Sequence, residues 1–180
     1  MKRTETIMTE QVMTGLYEGI SKESVLINEP LKNHTYTKMG GIADLFIIPT
    51  SYEETAFVVR YAYEQDIPLT LLGNGSNLVV RDGGIRGIVL SFEKLTDITV
   101  EGHELVAQSG AAIIEASRVA YAHQLSGLEF ACGIPGTIGG ALIMNAGAYG
   151  GEVKDCLHSA TVLTRQGELL NISHDELELG

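Results

Sequence analysis

The chain has 180 residues, 44% of them apolar and 19% charged, the profile of a folded globular protein rather than a disordered one. Its 12 Lys and Arg stand against 23 Asp and Glu, a formal charge of −11 with no basic cluster, which argues against nucleic-acid and anionic-membrane partners. An anionic ligand would have to be held by backbone N–H groups more than by a basic patch.

In chain order, Ile7, Met8, Val12, Leu16 and Ile20 recur at helical spacing and predict an N-terminal helix over 4–20, within a first segment 1–24. Residues 43–48 read as a strand stopped by Pro49. Ser51-Tyr52-Glu53-Glu54 is a capping box that opens a helix with Ala56, Val59, Ala62 and Tyr63 on its inner side. A short strand over 67–72 runs into the turn Gly73-Asn74-Gly75-Ser76-Asn77. A β run, Leu78-Val79-Val80, is expected to follow, then a turn at Asp82-Gly83-Gly84 and a strand over 87–90. Further strands are predicted near 97–101 and 104–108, and a helix over 111–124 with Ile113, Ala116, Val119 and Ala120 as its apolar face. Residues 127–151 are dense in glycine, and 160–172 reads as a hairpin turning at Gln166-Gly167. Ser173-His174-Asp175-Glu176 is a second capping box, so a helix starts where the chain stops, the pattern of a piece of a longer protein. The expected fold is α+β, with subdomains at 25–94 and 95–180 and no doubly wound sheet, because long helices do not alternate cleanly with strands.

No apolar run approaches the ~18 residues of a membrane span. Lys2 and Arg3 are not followed by the apolar core of a signal peptide, so a cytoplasmic location is the default expectation. Cys132 and Cys156 read as reduced thiols, Cys132 as a small buried packing residue. The five histidines (34, 103, 123, 158, 174) lack metal-ligand spacing and read as surface or solvated side chains, so no metal is expected. Glu152 and Asp155 read as a solvated face.

Two glycine-rich stretches remain. Gly and Asn reach positive φ cheaply, so successive N–H groups of Gly73–Asn77 could point into one concavity, with Ser76 and Asn77 side chains as further donors. A diphosphate is the natural guest of such a nest in an acidic protein. A plain hairpin turn is an equal reading on local grounds, since Asn-Gly is a strong hairpin signal. A Rossmann loop fits poorly, because the glycines should open a helix, and no Lys follows them as in a Walker loop. The second stretch, from Gly133-Ile134-Pro135-Gly136-Thr137-Ile138-Gly139-Gly140-Ala141 to Met144-Asn145-Ala146-Gly147-Ala148-Tyr149-Gly150-Gly151, costs local stability, roughly 0.5–1 kcal/mol per glycine in regular elements. Close approach of backbone to a flat, rigid ligand accounts for the run as a whole, while tight packing accounts better for any single glycine. Neither stretch carries an activated side chain, which suits chemistry done by a bound cofactor.

Together with Thr37-Lys38-Met39-Gly40-Gly41-Ile42-Ala43, the segments Leu72–Leu78, Gly133–Ala141 and Asn145–Glu152 resemble, in order, the UDP-N-acetylenolpyruvoylglucosamine reductases, the MurB flavoenzymes of peptidoglycan precursor synthesis, of the second type. The resemblance runs from about residue 25 to the end. It implies a fold like that of the vanillyl-alcohol oxidase flavoproteins, with noncovalent FAD between two α+β subdomains. Gly73, Asn74, Gly75, Ser76, Asn77 and Leu78 would hold its diphosphate, and Gly133, Ile134, Pro135, Gly136, Thr137, Gly139, Gly140, Asn145, Ala146 and Gly147 would lie along its ring. Tyr149 would face the substrate. The implied reaction passes hydride from NADPH to FAD and on to the enolpyruvyl double bond of the UDP-sugar. The family's tyrosine-arginine pair, serine proton donor and late glutamate would all lie beyond Gly180, so the resemblance implies an FAD-binding piece without turnover. A noncatalytic flavin- or nucleotide-binding module, or another oxidoreductase on the same fold, remains an alternative.

Overall fold

The computed structural model describes residues 10–177 and 179. The chain divides into two compact units, residues 1–94 with 163–169 and residues 95–162 with 170–180. Among the described residues, no helix is long and apolar enough to cross a membrane.

The first unit is built on a four-stranded sheet. Its strands are β1 (Val25–Pro30), β2 (Ile42–Ile47), β3 (Leu69–Leu72) and β4 (Ile85–Ser91), in the order β1-β2-β4-β3. β1 is antiparallel to β2, while β2 and β3 both run parallel to β4. Side chains alternate across the sheet, so Leu45 and Ile47 enter one apolar core and Phe46 enters another on the opposite face. Burial on both faces is why β2 is apolar at every position but Asp44. Helices α1 (Glu10–Leu16) and α2 (Tyr52–Glu64) cover the first face through Leu16, Val58, Val59 and Ala62.

The predicted cap of α2 forms on one side only. The Ser51 hydroxyl accepts from the Glu54 N–H at 3.2 Å, but the Glu54 carboxylate turns to the N–H and hydroxyl of Thr50. Thr55 and Val58 line the inner face, and Tyr63 is 57% exposed, contrary to its expected inward position. Residues 4–9 of the expected N-terminal helix lie outside the described residues; of the rest, Glu10–Leu16 is helical and residues 17–20 are turn.

The parallel pairing of β3 with β4 excludes a hairpin between them, because antiparallel neighbours alone can be joined by a tight turn. Residues 73–84 therefore form a crossover without a helix. The expected β run at 78–80 is irregular chain: Val80 is drawn into the second core beside Leu31 and Phe46, with Leu78 packed against it, and Val79 is 73% exposed.

Asp44 holds the centre of this sheet. Between Ala43 and Leu45 the β2–β4 register shifts, so that Asp44 stands opposite both Arg86 and Gly87. Asp44 is 1% exposed; its Oδ2 accepts from the Gly87 N–H at 3.0 Å, and its Oδ1 meets Nη1 of Arg86. Arg86 Nη2 donates in turn to the carbonyls of Ile42 (2.8 Å) and Gly83 (3.1 Å), tying the bulge to the turn at Asp82–Gly84. Gly87, at φ +93°, leaves no room for a side chain, since a Cβ would lie 2.1 Å from the Pro68 carbonyl oxygen.

The second unit has a smaller core of Ile113, Phe130, Ala131, Ala141 and Val153. A hairpin of β5 (Ile98–Glu101) and β6 (Glu104–Ala107) precedes α3 (Ile113–Ala122), which buries Ile113, Ala116 and Ala120 and half-buries Val119. A 3-10 turn at Glu129–Gly133 leads to the short helix α4 (Ile138–Ile143) and to a minimal hairpin of β7 (Gly147–Ala148) and β8 (Gly151–Glu152). β9 (Ser159–Leu163) and β10 (Leu169–Ser173) form the predicted last hairpin, closed by the Gly167 N–H on the Thr164 carbonyl. The second capping box forms at Ser173 and Glu176, on a single 3-10 turn, His174–Glu176.

Arg86→Ala strands the buried Asp44 carboxylate without its cation and is expected to cost about 3–5 kcal/mol of stability. Asp44→Ala should cost less, because Arg86 is 45% exposed and can turn to water. Urea unfolding of both variants checks the order.

Candidate functional site

The crossover after β3 begins with the predicted turn. Only Gly75 takes positive φ (+60°); Asn74 and Asn77 do not, so the expected succession of left-handed residues is reduced to one. Glycine is required there twice over. Besides its φ, a Cβ would lie 2.7 Å from the His34 carbonyl oxygen and 2.8 Å from Thr35 Cα. The Gly75 carbonyl accepts from the Tyr36 N–H at 3.1 Å, so the turn is pinned to the loop that follows β1. Among the described residues, no N–H from Gly73 to Leu78 donates to a protein acceptor. Six consecutive free donors, on a turn held by one glycine and one carbonyl, are the arrangement that an anion of several oxygens can satisfy.

The second glycine stretch is more ordered than a loop. Thr137 caps α4, its hydroxyl accepting from the Gly140 N–H at 3.2 Å. The N–H groups of Ile138 and Gly139 donate to the carbonyls of Ala111 and Ser109, each at 2.8 Å, and the Ile113 N–H returns a bond to Gly136. Gly139 is there for packing, because a Cβ would come within 3.0 Å of Ser109 Cβ. A Cβ at Gly147 would lie 2.8 Å from Glu152 Cγ, and one at Gly151 would lie 3.0 Å from Phe130 Cβ. The Ala146 N–H is taken by the Ala141 carbonyl, and the Asn145 amide bonds the Glu152 carboxylate and accepts from the Lys154 N–H. Glu152 is thus no idle solvated carboxylate. The Lys154 ammonium and the Asn145 amide hold its pKa below the usual carboxylate range, so its contribution is present at neutral pH and fades as pH falls through the lowered value.

Gly133 differs from these glycines. Its φ is not positive and nothing lies within 4 Å of where a Cβ would be, so the fold itself does not call for glycine. Gly136 and Thr137 keep N–H groups without a protein acceptor among the described residues. Gly133, Pro135, Gly136 and Thr137 are therefore the part of the stretch left available to a ligand, while Gly139, Gly140, Asn145, Ala146 and Gly147 are engaged within the unit. Tyr149 stands at the tip of the β7–β8 hairpin, 92% exposed and at φ +54°, followed by Gly150 at +88°. Both signs suit a primed two-residue turn, in which Asn or Gly is the ordinary choice.

Two expectations about reactive side chains change. Cys132 is exposed, not buried. His34 is not solvated: its side chain is 16% exposed, its ring stacks on Phe46 at 3.9 Å, and Nε2 lies 3.0 Å from Glu29 Oε1. Burial, and next the Asp155 carboxylate, push the Cys156 thiol up, away from nucleophilic character. Among the described residues, no His, Cys, Asp and Glu gather into a metal-binding group. The loop at 34–41, most of which enters the sequence reading only through the Thr37–Ala43 resemblance, is the structural partner of the turn.

Residues 43–173 match the family described as "FAD binding domain". The UDP-N-acetylenolpyruvoylglucosamine reductase of Exiguobacterium sibiricum is 87% identical over 174 residues, covering 97% of this chain and 57% of that protein. The chain thus spans a little over half the length of the curated relatives it matches. Among solved structures, the reductase of the same name (MurB) from Thermus caldophilus superposes with a TM-score of 0.71 at 30% identity, over 87% of this chain and 54% of that one. The 6-hydroxy-D-nicotine oxidase of Arthrobacter nicotinovorans, 21% identical, shares the fold with a TM-score of 0.64, over 84% of this chain and 36% of that one.

A tyrosine in the left-handed region costs about 1–2 kcal/mol relative to a residue at home there. Tyr149→Gly is expected to raise the thermal midpoint of the chain. A lower midpoint would show that the exposed ring holds the hairpin together.

Proposed function

The chain belongs to the FAD binding domain family, and on that premise we propose that it holds FAD noncovalently, with the diphosphate on the free N–H groups of Gly73–Leu78. The observation that carries this is the run of six unpaired amides on a turn whose glycine is fixed by steric contact. The donors fit the group. A diphosphate brings several acceptor oxygens, and backbone N–H groups bind it without the basic patch that a chain of charge −11 lacks. In the second unit, Gly133 has open space where a Cβ would be, and Gly136 and Thr137 keep two open N–H donors, which suits the planar ring and its pyrimidine edge. When bound, FAD supplies a ring that accepts and returns hydride. The protein's part is to seat and orient it.

The 87% identity supports a finer reading: the chain is the FAD-binding part of an NADPH-dependent reductase that acts on UDP-N-acetylglucosamine enolpyruvate in cell-wall precursor synthesis. In that reading Tyr149, exposed and conformationally strained, meets the substrate, and its strain is retained because the ring is needed there. The 180 residues alone bind FAD without turnover. Neither glycine segment carries a side chain placed as a proton donor, and general-acid delivery typically contributes orders of magnitude in rate.

Purified chain should show flavin absorbance that is released on denaturation, or should gain it on reconstitution with FAD. A colourless protein that takes up no FAD would refute the reading. Added NADPH and enolpyruvyl UDP-sugar should give no steady NADPH oxidation above the rate without sugar; sugar-dependent oxidation would place the proton donor within these residues.

A further inference from the structure

The loop at 34–41 carries a lysine whose placement the fold does not explain. Lys38 is exposed and sits at φ +57°, in the left-handed region where a long side chain is disfavoured. Its conformation is fixed locally: the Lys38 N–H donates to the Thr35 carbonyl at 3.1 Å, and the Thr35 hydroxyl, on a residue 1% exposed, donates to the Met39 carbonyl at 2.7 Å. Glycine would meet the same backbone demand without strain, yet lysine stands there. Several other cations are spoken for, Arg86 by Asp44, Arg118 by Glu115, Lys154 by Glu152 and Lys22 over the Tyr17 ring. Lys38 has no ion pair or hydrogen-bond acceptor for its ammonium among the described residues.

The same loop is fastened to the glycine turn. The Tyr36 N–H bonds the Gly75 carbonyl, the His34 carbonyl and Thr35 Cα occupy the space where a Gly75 side chain would lie, and the Gly41 N–H bonds the Arg81 carbonyl. The unpaired cation is thus one short turn of backbone from the free amides of 73–78, within the same unit. In a chain of charge −11, an anion approaching those amides meets a repulsive field that neutral donors only partly offset.

We infer that Lys38 is the cationic element of the anion site: its ammonium pairs with the phosphate oxygens of the ligand seated on Gly73–Leu78. This rests on the FAD reading above and adds the one charged group that the turn itself lacks. A flexible four-carbon stem with three donors suits a diphosphate approached from beside the amide row.

The test titrates the 180-residue chain with FAD, with ADP and with riboflavin by calorimetry, comparing wild type with Lys38→Met, Lys38→Gly and Lys32→Met. Lys38→Met should weaken FAD and ADP by about tenfold, the size of one charge-assisted contact, and leave riboflavin, which has no phosphate, unchanged. Lys38→Gly should weaken FAD equally while raising the thermal midpoint of the ligand-free chain, a split that a merely structural lysine cannot produce. Lys32→Met, with the same change of net charge on an exposed neighbour, should bind like wild type. Unchanged FAD and ADP affinity in Lys38→Met, or equal weakening in Lys32→Met, overturns the role of Lys38 while leaving FAD binding intact. Failure of wild type to bind FAD overturns both.

Discussion

Strands β3 and β4 are neighbours that run in the same direction, and the character of the site follows from that pairing. Two antiparallel strands could have been closed by a short turn whose amides bond back to their own hairpin. Parallel strands need a crossover, and here it is residues 73–84, with no helix to absorb its N–H groups. The chain leaves β3, turns sharply at Gly75 against the His34–Thr35 backbone, and returns through Val80 and the Asp82–Gly84 turn to β4. Amides released from one duty become available for another. The Asp44–Arg86 clamp keeps the return end of this crossover in place, because Arg86 bonds the Gly83 carbonyl as well as the buried carboxylate.

Glycine serves two separate structural purposes at the positions that matter most here. At Gly87 and Gly75 it combines positive φ with backbone contact too close for any side chain. At Gly139, Gly147 and Gly151 it lets short elements pack around a small core. Gly133 falls in neither group, and a residue type that the fold does not demand is where a ligand's demand is best sought. Tyr149 and Lys38 show the converse, bulky residues held where glycine would rest more easily.

Much of the element order was legible from apolar periodicity and turn chemistry, from the strand before Pro49 to the hairpin at Gly167. Strand direction was not, because local pattern reports which face of a residue is buried and says nothing of which neighbour it pairs with. That is why Leu78-Val79-Val80 read as a strand, although burial of Val80 comes from packing on a sheet face. The Asp44–Arg86 pair was equally hidden, since Asp44 looks like a polar interruption of an apolar run and its partner lies far along the chain. The glycine segments were visible as segments. Which of their amides are already engaged, and which are open, depends on contacts with 34–35 and 109–113 that spacing within the segments does not reveal.

A diphosphate seated on the amides of 73–78 would change their resonances, so amide-resolved NMR of the isotope-labelled chain during titration with FAD is the deciding measurement. Resonances from Gly73 to Leu78 should move downfield and gain protection from exchange, while those of the exposed turn at Gly102 stay in place. Saturable FAD binding that leaves 73–78 unmoved would contradict that seating.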